Sequence, residues 1–221
     1  LFWMYYGLKS LFLQDADSMV VKSGDLVEIL NYIKLKFPTI ERITCYSRSK
    51  TLVVKTVEEL KQIRAAGLNR IHIGMESGSD DVLKLIKKGV RGEEHIIAGK
   101  KVVEAGFELS EYFMPGLGGK NFTAENAAET AKVLNEVNPS FIRIRTATPV
   151  PGTELYSMME KGDWEPLTEN EKVEELKNMI EGLHGIGSYI QSDHMMNLIE
   201  DSNGKLPGDK ETILAPLNSF L

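Results

Sequence analysis

The sequence predicts an α/β protein built on a parallel sheet, and three observations carry that expectation. Short β-type runs alternate with longer helical patterns along most of the chain. The runs recur at the period of a strand plus its crossover helix: their tops, Asp15, Tyr46, Met75, Met114 and Thr146, are 31, 29, 39 and 32 residues apart. Polar and glycine-rich stretches collect just after each run, at the strand ends where parallel α/β proteins bind ligands.

Each element has its own local signal. "SLFLQDAD" (10–17) reads as a first strand and its top loop. From Gly24 to Phe37, apolar residues at Leu26, Ile29, Leu30 and Ile33 keep a helical spacing that Pro38 closes. "RITCYS" (42–47) is a second strand, followed by a helix that Thr56 and Glu59 open as a capping box and Gly67 stops. "RIHIG" (70–74) is the third strand, with helices expected at Asp80–Lys88 and Gly92–Ala105. "ELSEYFM" (108–114) and "SFIRIRT" (140–146) are the fourth and fifth strands, separated by a helix over Thr123–Val137. After Pro151 the pattern turns helical, at Thr153–Lys161 and Thr168–Glu181. An irregular stretch with "SDHMMN" (192–197) and a last helix from near Gly208 complete the chain.

Composition narrows the function classes. At 221 residues, 42% hydrophobic and 26% charged, the chain has the makeup of a soluble globular protein able to bury a full core. The net charge is −6 with Lys and Arg dispersed, so no basic stripe for nucleic acid is evident. No apolar run approaches the roughly 18 residues of a membrane span. The opening "LFWMYYGL" lacks the basic region and cleavage site of a signal peptide, and the absence of an initial Met suggests a longer natural chain. The single cysteine, Cys45, excludes an internal disulfide and a cysteine-rich metal site built from these residues, and fits a reducing, cytoplasmic setting.

The residues at the strand tops are the candidates for chemistry. Asp15 and Asp17 in "DADS" could line a cavity or simply cap a turn. Glu76, a carboxylate between Gly74 and Gly78, is expected to face the cavity, whereas Ser77 and Asp80 could cap the following helix. "PGLGG" (115–119) lacks both the dinucleotide fingerprint and the Walker pair; its glycines fit a backbone that approaches a flat ligand closely. In "FIRIR", Phe141, Arg143 and Arg145 share one face. If Ile142 and Ile144 pack on helices, both arginines enter the cavity and need a carboxylate ligand or an acidic side chain such as Glu76. His72 reads as an outer-face or satisfied core histidine, Cys45 as a small buried hydrophobe, and His194 with Asp193 and Asn197 lacks metal-ligand spacing.

The stretches "FLQDADSMV", "GLNRIHIGMESGSDDVLKLIKKGV", "AGFELSEYFMPGLGG", "NPSFIRIRTATPVPGTELY", "SDHMMN" and "GKLPGDKETIL" resemble, in order, the radical S-adenosylmethionine (radical SAM) superfamily. The likeness is to iron–sulfur oxidoreductase-like members grouped with the oxygen-independent coproporphyrinogen oxidases. The resemblance implies a partial (βα)6 TIM-like barrel without its first βα unit over 1–152, and a helical extension over 153–221 that packs on or closes the barrel. It implies S-adenosylmethionine lying across the strand tops. Asp17 falls where the family has a Gly-Gly-Glu turn, here replaced by "DAD"; Glu76 and Ser77 match the fourth-strand motif near ribose and methionine. Met114 and Gly116 match the element that passes the adenine, and Arg143 or Arg145 would meet the methionine carboxylate. The family's three cluster cysteines have no counterpart here, so the ligands of a [4Fe–4S] cluster are expected upstream of Leu1.

The resemblance therefore implies a parent enzyme that cleaves S-adenosylmethionine reductively and acts on a small-molecule substrate with the help of an electron donor. This chain alone would be inactive, and no catalytic residue is assigned. Two other readings follow from the residues: a cluster-free barrel that binds a nucleoside-like ligand or a partner, and a lyase using Glu76 as general base.

Overall fold

The computed structural model describes residues 7–221, and the apolar opening "LFWMYYGL" lies mainly in residues 1–6, outside the described residues. Seven strands form one sheet: β1 (Ser10–Leu13), β2 (Arg42–Ser47), β3 (Leu68–Glu76), β4 (Glu108–Phe113), β5 (Phe141–Ile144), β6 (Tyr189–Gln191) and β7 (Gly204–Lys205). Each strand neighbours the next in sequence; β1 to β6 are parallel, and β7 joins antiparallel. The helices are α1 (Ser23–Lys36), α2 (Ser49–Val54), α3 (Val57–Ala66), α4 (Asp80–Leu85), α5 (Gly92–Glu104), α6 (Thr123–Val137), α7 (Glu154–Lys161), α8 (Glu169–Glu181) and α9 (Lys210–Phe220).

An order without a switch point is that of a barrel wound in one direction, not of a doubly wound sheet. One sheet face carries the helices. Ile43, Cys45, Ile71, Ile73, Leu109, Phe113, Ile142, Ile144 and Ile190 lie buried there in one core with Leu30, Leu60, Ile63, Val102, Leu134 and Ile180. Each such side chain contributes about 1.5–3 kcal/mol by leaving water, so this face sets the orientation of every strand. Because strand side chains alternate, the opposite set is turned to the other, concave face.

Local signals hold where they are strong. Thr56 and Glu59 form the expected box, with the Glu59 amide donating to Thr56 Oγ1 at 3.2 Å and the Thr56 amide to Glu59 Oε2 at 2.8 Å. Gly67 ends α3 at φ +121°. Three features depart from the sequence expectation. The short helix α2 follows β2 directly. The helix from Asp80 ends at Leu85 rather than Lys88, because Lys87 turns left-handed (φ +55°) and the Lys88 amide returns to the Leu83 carbonyl. Residues 153–221 carry β6 and β7 besides their helices; two and three residues are too few for a period to be read.

The top of β3 is irregular in a way that matters below. Ile73 pairs with Glu111 but Glu76 with Phe113, so three steps on β3 oppose two on β4, a β-bulge. Beyond it Gly78 presses on α6: its amide donates to Thr130 Oγ1 at 2.8 Å, and a Cβ there would lie 2.3 Å from the Glu129 carbonyl oxygen. Gly78→Ala is expected to cost about 2–3 kcal/mol, seen as a lower urea midpoint at unchanged slope.

Candidate active site

The concave face begins with a row of rings. Phe12 of β1 sits 4.8 Å from Tyr46 of β2 and stacks on His72 of β3 at 5.8 Å, and Tyr112 of β4 follows at 6.1 Å from His72. Of the two sequence readings, the buried, partnered histidine holds: His72 is 5% exposed with Nδ1 3.5 Å from the Tyr112 hydroxyl, and because Ile71 and Ile73 occupy the helix side, alternation sends the imidazole inward. Burial, then the charges of Arg70, Arg143, Arg145 and Arg42, push its pKa down to about 4, so the ring is neutral at pH 7.

Charged groups complete this face. Toward the strand N-terminal ends, Glu108 receives Arg42 and Arg70. Toward the mouth, Ile142 and Ile144 are buried on the helix side and Arg143 and Arg145 point inward, each near the Tyr112 ring at 5.9 and 5.1 Å. Their carboxylate partner is Asp193, just beyond β6, at 2.5 Å from Arg143 and 3.4 Å from Arg145. The sequence suggested Glu76 as the internal candidate; the structure corrects this, because the bulge directs Glu76 to another cation. Partial burial raises the Asp193 carboxyl, but the two guanidiniums outweigh it and hold the pKa below the usual range.

Glu76 stands at the bulge in a left-handed conformation, φ +67°, costly for a residue with a Cβ. Lys88 holds its carboxylate at 3.0 Å, brought back by the early end of α4. Gly74 leaves the room: a Cβ there would fall 2.3 Å from Glu76 Oε1. Glu111 lies fully buried nearby. Burial, reinforced by the charge of Glu76 and opposed by Lys88, raises its pKa well above the ordinary carboxylate value.

The other sequence-selected residues occupy different surroundings. Asp17 accepts from Ser47 Oγ at 2.9 Å and from Thr51. Ser77 is wholly buried, donating to Asn126 and accepting from the Ser79 amide at 3.0 Å. The Gly116 amide (φ +86°) donates to buried Glu175 at 2.8 Å, and Asn126 donates to the same oxygen. Met114 packs against Val82, Leu117 and Ala147. Asn197 ties the segment after β6 to the end of β5: its amide donates to the Ile144 carbonyl, and its oxygen accepts from the Thr146 amide, both at 3.0 Å. That segment exposes Met195 and places His194 beside the site, not in a metal cluster; among the described residues no group of three or more His, Cys, Asp or Glu could hold a metal. The sequence reading named Asp193 only beside His194 and missed it as the arginine partner, as it missed the inner aromatic row, although the alternation of Tyr46, His72 and Tyr112 with buried residues was available.

A singly wound, incomplete parallel barrel with polar strand tops defines a class of ligand-binding α/β proteins that work at the strand carboxyl ends. Residues 6–132 match the model of the radical SAM superfamily, and the chain belongs to it. Among curated proteins it is 30% identical over 123 residues to a tRNA uridine(34) acetyltransferase of Methanocaldococcus infernus, covering 53% of this chain and 22% of that protein. It is 27% identical over 138 residues to the heme chaperone HemW of Bacillus subtilis, covering 61% and 36%. The chain therefore spans about a fifth to a third of the length of these relatives. In fold it is similar to the Methanocaldococcus infernus Elp3 structure (TM-score 0.63, 20% identity, 86% of this chain and 49% of that one). It is likewise similar to coproporphyrinogen III oxidase, HemN, of Escherichia coli (TM-score 0.62, 18% identity, 78% and 39%).

Two tests follow from the buried groups. Cys45 lies in the core, where burial and then the Asp17 charge push its thiol up to about 12; iodoacetamide at pH 8 should label it only on unfolding. Glu111 has a raised folded pKa, so its burial destabilises the fold where the unfolded state is ionised. Glu111→Gln is expected to be more stable than the parent at pH 7, with the difference closing as pH falls toward 4.5 in urea titrations.

Proposed function

We propose that the chain supplies the S-adenosylmethionine-binding part of a radical SAM enzyme. The observation that carries this is the convergence of an aromatic row, an arginine pair and Glu76 on the strand-top end of a barrel whose family is known. Side chains would do three things: the rings shape and dry the concavity, Arg143 or Arg145 meets the methionine carboxylate, and Glu76, held by Lys88, accepts from amino or ribose groups. Arg143 Nε is buried without a partner, which suits a site awaiting an acceptor. Asp17, Ser77, Met114 and Gly116 act on this reading mainly through the loops they hold. These residues would hold and orient S-adenosylmethionine, which would supply 5′-deoxyadenosyl radical chemistry for hydrogen abstraction from a small substrate.

A [4Fe–4S] cluster does not fit these residues. Three thiolates are required, and the one cysteine is buried with a raised pKa. On this reading the cluster ligands would come from outside the 221 residues. The same single cysteine favours the second reading, a cluster-free barrel for a nucleoside-like ligand. Full-length protein, purified without oxygen and reconstituted with iron and sulfide, is expected to yield 5′-deoxyadenosine on reduction, and the 221-residue chain none. Full-length protein that binds S-adenosylmethionine but holds no iron would overturn the enzyme reading in favour of the binder.

A further inference from the structure

The inner face of the sheet has an unbalanced charge. Four guanidiniums stand on it, Arg42, Arg70, Arg143 and Arg145, against two carboxylates, Glu108 and Asp193, so two positive charges are in excess among the described residues. The protein as a whole carries −6. The excess is concentrated in a concavity, where low-dielectric walls focus the field. Both arginines at the mouth are mostly buried, with side chains 20% and 22% exposed, and they share one carboxylate. Among the described residues the Nε of Arg143 meets no acceptor. His72 stands beside them, its pKa lowered first by burial and then by these four arginines.

S-adenosylmethionine does not answer this excess. Its sulfonium and ammonium outnumber its one carboxylate, so it would add a positive charge to a positive concavity. We infer that the concave face binds a second ligand, a small organic molecule carrying two or more carboxylate or phosphate charges, anchored on the Arg143–Arg145 pair, of which the methionine carboxylate takes one member when the cofactor is bound. This deepens the reading above and rests on it only in calling that ligand the substrate. Asp193 then stands where an anion of the ligand would: it satisfies part of the arginine pair and competes for it. The segment that carries it is held by Asn197, so this carboxylate comes from a different element than the arginines it meets.

The inference is tested on the 221-residue chain at low ionic strength, titrated calorimetrically with pyrophosphate and with citrate. At least one should bind saturably, and the tighter of the two distinguishes a phosphate from a carboxylate ligand. Arg143→Gln with Arg145→Gln should weaken that binding about ten-fold or more, and Asp193→Asn should tighten it several-fold. Lys34→Gln with Lys36→Gln, an equal loss of charge on α1, should leave it unchanged. Because the arginine variant could misfold, His72 provides a readout in the unmodified chain: its ring resonances should titrate at higher pH once the anion neutralises its neighbours. Absence of saturable binding, equal losses in the lysine control, or retention of an oligoribonucleotide but of neither small anion overturns the inference. Binding of S-adenosylmethionine to full-length protein is measured separately. Its loss alone counts against the cofactor reading, and loss of the anion site alone against this one.

Discussion

The structure depends on one-sided burial of a parallel sheet. The helices cover a single face, and the isoleucines, leucines and Cys45 that fill it leave each strand no choice of which side chains turn inward. A one-residue slip of β5 would bury Arg143 and expose Ile142 and Ile144. The hydrophobic core thus places the residues of the concave face. The aromatic row from Phe12 to Tyr112 is the complement of the core, read across four strands.

A second constraint acts at the top of β3. The bulge inserts one residue against β4, and the chain emerges with Glu76 in a left-handed conformation beside a glycine that has no Cβ to obstruct it. The premature end of α4 then returns Lys88 to this carboxylate. Strain at one residue is sustained by packing immediately downstream, where Ser77, Gly78 and Ser79 are tied to α6 through Asn126, Thr130 and Glu125. Glu76 is held in place from both sides. Glu111, buried below it, shows how low the dielectric becomes just behind the strand tops.

The concave face combines a neutral imidazole, phenol rings and paired guanidiniums. Burial and then the cationic side chains there suppress protonation of His72, and the arginine pair holds Asp193 from the far end of the chain. The C-terminal segment is therefore part of the site: β6 extends the sheet, Asn197 fastens the following loop to β5, and Asp193 enters the mouth. The chain belongs to the radical SAM superfamily and spans half or less of the solved structures whose fold it shares.

Much of this was legible from the residues alone. The βα spacing, the capping box at Thr56, the helix Thr123–Val137 and the inward direction of Arg143 and Arg145 all follow from local periodicity and propensity, which neighbouring residues determine. What the tertiary structure decided depends on contacts far apart in sequence. Glu76 pairs with Lys88 rather than the arginines because of a bulge that only strand pairing reveals. Asp193 meets Arg143 across 50 residues, and β6 and β7 are too short to announce themselves. Ser77 lies buried against Asn126, 49 residues away, because two elements that sequence separates are pressed together in the fold. Periodicity determines which way a side chain points; only packing determines what it meets.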